Sequence, residues 1–502
     1  LKKTPMKIYI IILLSIFTLT CKAQNETEYL TKSEIENDLK FLDDFIQNKS
    51  SYQGLNGFYY RKDFQKYLEQ INGDKISKSN FGIFLTKTIG KIGDRHSYIR
   101  GYDLPNNLFL PFVVAPLNDK VVALDYNKSQ KEYHLLYQNF PFLKAINTIQ
   151  IDDFLKKIVP EDINAPKIAL RTRSVKQLKY MADNYAIIGE SVPENFKFTF
   201  TNGKTDTIVK IPLENKRSTY ITWDEKFARV NNPRRKDLNN PELIKNLFHI
   251  DENNIAYLRI PSMAYKEDAL VFFETINKFI NRAKSSKSLI LDVRGNGGGT
   301  RHLIKELGGY LVHPDSTYIV NATRQRGKSP LNEDLKDDLN NRFLFSKNEL
   351  DYKEQDKVDI FMSSFIPMYN LDDNKYSEFH YFVLNGKKLT KDKYHYNKPI
   401  YIMANEKSFS AASVFASVFK GLPNIKIVGV NTDGSSGNSE RFELPNSKLR
   451  GKISTMVSFQ KNGQILDGIG TKPDIIIERN LDQIFWKEDY QLNKLKELIR
   501  KE

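Results

Sequence analysis

PIYIMANEKSFSAASVFASVF, residues 399–419, starts as a short apolar strand, breaks at the polar residues Asn405, Glu406 and Lys407, and restarts as a helix opening on Ser410, Ala411 and Ala412. A serine there stands beside unsatisfied backbone N–H groups and the positive end of the helix dipole, so negative charge developing next to its oxygen is stabilised. A serine opening a helix is also an ordinary N-cap, and Ser408 can fill that role as well as Ser410. Far upstream, LILDVRGNGGGT, residues 289–300, runs from an apolar strand into a turn whose glycines let the backbone approach a substrate closely. That turn lacks the Lys-Ser/Thr ending of a phosphate loop and the later spaced acid of a dinucleotide fold. The two segments read as halves of one site, with Ala411 N–H as one oxyanion donor and Gly297 or Gly298 as the second. Asp292 and Arg294 are expected to hold the strand end rather than to react.

Outward from this pair, strands and helices alternate over residues 240–480, which argues for an α/β domain. Within it residues 314–398 are polar, aromatic and irregular, and read as an insertion covering the site. Residues 481–502 return to amphipathic helix. Residues 104–215 carry short β-type runs, including FKFTFTNGKTDTIVKIPL with a Thr-Asn-Gly-Lys hairpin turn, and form a separate β-rich module. Residues 25–103 are helical: TKSEIENDLKFLDDFI sets Ile35, Leu39, Leu42 and Ile46 on one face behind a Thr-x-x-Glu capping box.

Residues 1–24 read as an export signal, with Lys2, Lys3 and Lys7 ahead of an apolar run too short to span a membrane. Cys21, the only cysteine, lies where a bacterial lipoprotein carries its acylated residue; cleavage nearer Ala23 or Gln24 leaves a mature chain with no cysteine. Either outcome excludes an intramolecular disulfide and a cysteine nucleophile. The expected location is the cell envelope, in the periplasm or on the outer membrane as a lipoprotein, or outside the cell. The net charge of +15 is spread among 61 acidic residues without a basic arm, so it describes a solvated surface and no nucleic-acid groove. The seven histidines show no His-x-x-x-His or His-Glu-x-x-His spacing, so no metal and no cofactor is expected.

Five pieces in order, YLRIPSM (257–263), LDVRGNGGG (291–299), SFSAAS (408–413), VGVNTDGSSG (428–437) and DGIGTKPDI (467–475), resemble the C-terminal processing (tail-specific) serine protease family. The resemblance implies a crotonase-like (ClpP/crotonase) α/β catalytic core, a PDZ-like module at 104–215, a peptide or protein substrate, and Ser410 as nucleophile. The Ser-Lys branch of that family places its base lysine in the turn where this chain has Thr432-Asp433-Gly434-Ser435. The chain is closer to the tricorn-core-like branch, whose histidine base and acid correspond here to His96 in DRHS and Asp467 in DGIGTKPD. It departs from that branch at Arg95, which stands for a glycine, and at Asp467, one methylene shorter than the usual glutamate. His302, just after the glycine turn, is the next histidine to consider. The implied activity is an exported serine endopeptidase with a Ser-His-acid triad; the alternative is a non-catalytic peptide- or ligand-binding protein on the same scaffold.

Overall fold

The sheet that carries Ser410 at its edge of strand and helix has six strands, in the order Phe248–Ile250, Ile255–Arg259, Ser288–Asp292, Ile400–Ala404, Ile425–Gly429 and Ile475–Ile476. In this computed structural model, residues 28–502 are described, apart from 56, 160–163, 219–221, 231 and 392. The export signal and Cys21 lie outside the described residues. The first two strands of the sheet pair antiparallel and the others parallel. Parallel strands are covered on both faces, which is why IAYLR, SLILD and IYIMA show no alternation and are buried throughout. Helices Leu270–Arg282, His302–Leu311 and Ala411–Phe419 pack into one large apolar cluster with the sheet.

Tyr257, Ile290, Tyr401 and Val428 of the sheet form a second cluster with Leu495 and Ile499 of the helix Tyr490–Lys501. The amphipathic helix expected over 481–502 is broken. A single turn, Leu481–Ile484, is followed by Trp486 at φ 69°, and Asp489 then caps the second helix by accepting from Leu492 N–H at 3.2 Å. The Trp486 ring is the reason for the break, because it is buried against Val113, Leu124 and Tyr133 of the β-rich module.

Residues 314–398, expected to be irregular, contain regular structure. Thr317–Gln325 and His380–Asn385 pair antiparallel and, with Met456–Gln460 and Phe345–Ser346, make a four-stranded sheet, accompanied by helices Glu333–Asn340 and Tyr352–Ser364. The strand TYIVNATRQ hides from a hydropathy reading because its polar side chains are buried with partners. Asn321 Nδ2 donates to Phe459 O at 2.8 Å and Arg324 Nε to Ser377 O at 2.5 Å.

The N-terminal helices are Lys32–Lys49, Tyr60–Gln70 and Lys78–Gly90; Thr31 and Glu34 cap the first reciprocally, and Ile35, Leu39, Leu42 and Ile46 are buried. After them the strand Tyr98–Arg100 crosses to pair with Arg450–Ser454, whose other neighbour is Ser439–Glu443. The intervening module is a seven-stranded sheet whose final hairpin, Lys197–Thr201 with Asp206–Lys210, turns at Asn202 and at Gly203 with φ 90°. Its middle, read from sequence as β-type, holds three helices, Ile151–Ile158, Lys167–Gln177 and Met181–Ile188. The first shows the helical spacing that the β reading passed over, with Ile151, Phe154, Leu155 and Ile158 all buried.

Candidate active site

Ser410 sits at φ 55°, ψ −125°, between the strand Ile400–Ala404 and the helix Ala411–Phe419. A non-glycine residue in that region is strained by about 1–3 kcal/mol and persists only where its surroundings hold it. The holding group is Ser408. Its Oγ donates to Val293 O at 2.8 Å and accepts from Asn405 N–H at 3.1 Å, tying the turn to the neighbouring strand end. Ser408 is therefore not the alternative helix cap expected from sequence, and Ser410 makes no capping bond, so its half-buried hydroxyl stays available.

Three parts of the chain converge on that hydroxyl. His96 Nε2 lies 3.2 Å from Ser410 Oγ, and the imidazole stacks on Phe409 with centroids 4.8 Å apart. His96 Nδ1 lies 2.7 Å from Asp94 Oδ1, which also accepts from His96 N–H at 3.0 Å. With the Asp94 carboxylate accepting Nδ1–H, Nε2 is the acceptor and the serine hydroxyl the donor. Ser454 Oγ donates to Asp94 Oδ2 at 2.8 Å, and Ser97 Oγ accepts from Ser454 N–H at 2.9 Å, so the crossing strand fixes the histidine turn.

Asp467, expected to orient His96, does not reach it. Its carboxylate accepts from Tyr52 Oη at 2.8 Å, Ser436 N–H at 2.6 Å and Ser436 Oγ at 2.8 Å. The sequence held a signal for Asp94: a carboxylate two residues before a histidine can accept from that histidine's own N–H in an Asx-type turn, which brings it to Nδ1. Arg95, a departure from the family pattern, also has a use. It reaches Asp433 at 2.5 Å, lies 4.6 Å from the centroid of Phe409, and donates from its backbone N–H to Ser435 Oγ at 3.2 Å.

Electrostatics separate the two acids. Burial pushes the Asp94 carboxyl up, but the charge and hydrogen bonds of His96 outweigh it and hold Asp94 below the usual carboxylate range. Burial pushes His96 down, while the charge and hydrogen bond of Asp94, with a further contribution from Asp467, raise the imidazole above its ordinary value. Asp467 is raised to about 8 by burial and by repulsion from Asp94, against the lowering effect of Tyr52 and Ser436. Two buried carboxylates this close do not both ionise readily. Of the two, Asp94 is the one that ionises first.

The glycine turn meets the serine from the other side. A Cβ on Gly298, at φ 87°, would stand 2.6 Å from Ser410 Cβ and 2.7 Å from Phe409 O, so only glycine fits. Gly298 N–H donates to Asn296 Oδ1 at 2.8 Å, which removes it as the expected oxyanion donor. The N–H groups of Ala411 and Gly297 have no acceptor among the described residues. Arg294 is buried and donates to Asp292 Oδ2 at 2.7 Å and to Asp489 Oδ2 at 2.6 Å, anchoring the turn to the C-terminal helix. His302 is turned elsewhere, accepting from Lys266 N–H at 3.2 Å. A cavity of about 820 Å³ in the β-rich module, lined by Asp119, Leu155, Ile168 and Arg171, takes no residue from this site.

Residues 254–477 match the family model described as Peptidase family S41. A protein of Chlamydia trachomatis serovar D is 30% identical over 108 residues, 21% of this chain and 18% of that protein. A protein of Chlamydia muridarum is 26% identical over 94 residues, 18% of this chain and 16% of that protein. The match thus spans less than a fifth of either relative. Among solved structures, mature CPAF superposes with a TM-score of 0.63 at 17% identity, covering 93% of this chain and 97% of that one. Its complex with lactacystin gives 0.62 at 16% identity, over 93% and 98%. At such identities the likeness is one of fold, mixed α/β with several sheets. The ordered motifs and the matched segment agree: residues 254–477 carry the stretch that resembles peptidase family S41.

Proposed function

We propose that the protein is a serine peptidase acting through Ser410, His96 and Asp94. The observation that carries this reading is the chain of contacts from Ser410 Oγ to His96 Nε2 at 3.2 Å and from Nδ1 to the buried Asp94 at 2.7 Å. Ser410 Oγ attacks the peptide carbonyl as Nε2 takes its proton. The resulting imidazolium is held by Asp94, and the oxyanion by the N–H groups of Ala411 and Gly297. Collapse expels the amine, which receives the proton from Nε2, and water then releases the acyl group by the same exchange. Asp467, held by Tyr52 and Ser436, is not the third member of the triad.

The finer architecture belongs to the same reading: a crotonase-like core, a PDZ-like module over 104–215 that presents substrate, and export to the envelope with Cys21 as a lipid anchor. Palmitate labelling that depends on Cys21 supports the anchor, and unlabelled soluble export removes it. The decisive test of the chemistry is covalent labelling by a fluorophosphonate with peptide turnover measured in parallel. Labelling lost in Ser410→Ala, with turnover lost in His96→Ala, is the expected result. A wild-type protein that binds peptides but neither labels nor cleaves is a non-catalytic binder on this scaffold.

A further inference from the structure

Two arginines beside the site have no part in that mechanism. Arg301 follows the glycine turn and is 4% exposed at the start of the helix His302–Leu311, where a cation faces the positive end of the dipole. Its Nη1 donates to Arg342 O at 3.1 Å; Nε and Nη2 donate to no atom among the described residues, and no carboxylate pairs with it there. Arg342 lies in the turn between Glu333–Asn340 and Phe345–Ser346, beside Phe343 at φ 58°. Its Nη2 donates to Asn438 Oδ1 at 2.9 Å, its Nε is buried without a partner, and it too has no carboxylate among the described residues. Asp338, the one acid in this hydrogen-bond network, is exposed and accepts from Asn438 Nδ2 at 2.7 Å.

Phe382, whose ring centroid is 5.5 Å from the Arg301 guanidinium carbon, offers a cation–π contact, which does not replace the hydration lost on burying a cation. Burial and the charge of Arg342 push Arg301 down to about 9. A guanidinium keeps its charge in proteins, so the pair stands as unmet demand for an anion. The pair also touches the chemistry. The turn before Arg301 supplies Gly298, which faces Ser410, and the charge of Arg342 acts on His96. Through Asn438, Arg342 adjoins Gly437, where a Cβ would meet Asp94 Oδ2 at 2.1 Å. His96 must hand its proton to the leaving amine, so the leaving-group side of a substrate faces His96, on which the charge of Arg342 acts.

We propose that Arg301 and Arg342 form a subsite for a substrate carboxylate on the leaving-group side of the scissile bond, a deepening that rests on the peptidase reading. The carboxylate is that of an aspartate or glutamate side chain, or the free C-terminus of a short leaving segment. Matched internally quenched peptides with Glu or Gln at each of the first positions after the cleaved bond distinguish the first source. Peptides ending there in a carboxylate or an amide distinguish the second.

The expected preference in kcat/KM is on the order of tenfold to a hundredfold for the charged member of a pair, the scale of a hydrogen bond to a charged group. It should fall toward unity in Arg342→Gln and be partly kept in Arg301→Lys, which retains the buried charge; thermal melting confirms that each variant folds. Equal cleavage of both members of every pair overturns the proposal, as does a preference that survives Arg342→Gln in full. Calorimetric binding of the same peptides to Ser410→Ala separates the two readings. Carboxylate-dependent binding without turnover in the native chain keeps the subsite and removes the peptidase; turnover without carboxylate preference does the reverse.

Discussion

His96 is raised because Asp94 holds its protonated form, and that bond has a kinetic signature. The base must be neutral to accept the serine proton, so activity should rise with pH through a midpoint above the ordinary imidazole value of about 6.5. Asp94→Asn should move that midpoint down and reduce kcat by roughly a thousandfold to ten-thousandfold, by freeing the ring to adopt the wrong tautomer. Asp467→Asn should cost less than about tenfold, because an amide oxygen still accepts from Ser436, its NH2 can donate to a turned Tyr52 hydroxyl, and neither change touches the His96–Asp94 bond. The reverse order of severity in the two pH–rate profiles would return Asp467 to the triad. Asp467 also bears on stability. Folded, it keeps its proton up to about 8, whereas the unfolded chain releases it near 4. The folded state then binds the extra proton, so stability falls as pH rises between those values. Urea midpoints at pH 5 and pH 8 should differ less in Asp467→Asn than in the native chain.

At the scale of elements, the site is a strand–turn–helix pressed against a glycine turn, and the two glycines proposed as donors prove unequal. Gly297→Ala adds a Cβ with nothing within 4 Å and should fold normally. Gly298→Ala drives its Cβ into Ser410 and the Phe409 carbonyl at a positive φ, and should lower stability by about 1–3 kcal/mol while blocking fluorophosphonate labelling. Equal melting temperatures for the two variants would contradict the packing described. The turn at Ser410 carries its own cost. Ser410→Gly should abolish turnover yet stabilise the chain by about 1 kcal/mol, the strain released less the entropy glycine adds to the unfolded state. A destabilised Ser410→Gly would show that the surroundings do not impose this backbone shape.

For the whole molecule, Asp433 is the meeting point of three segments. Buried in the turn after the serine helix, it pairs with Arg95 from the histidine turn at 2.5 Å and with Arg173 from the β-rich module at 3.3 Å. Removing one partner of a fully buried pair costs about 3–5 kcal/mol, and the partial exposure of Arg95 discounts that figure. Asp433→Asn should therefore destabilise by about 2–3 kcal/mol and lower kcat more than it raises KM, since the displaced group is the turn presenting His96. A change confined to KM would assign the cluster to substrate binding instead.

Local patterns in the sequence carried the α/β alternation, the capped first helix, the hairpin at Asn202-Gly203, and the strand–turn–helix around Ser410, because each depends on residues only a few positions apart. The branch that the motifs resemble pointed to His96 in DRHS, but the acid it implied, Asp467, is not the one that meets the other ring nitrogen. The structure decided which groups meet: Asp94 rather than Asp467 at Nδ1, Ser408 on Val293, Gly298 N–H on Asn296, and regular sheet within residues 314–398. A hydrogen bond chooses among chemically equivalent acids by angstroms, and a polar strand is concealed when its partners come from elsewhere in the chain. Residue type therefore determined the chemistry available to this protein, while the tertiary structure spent Asp467 on Tyr52 and Ser436 and left Asp94, fixed by Ser454, to meet His96.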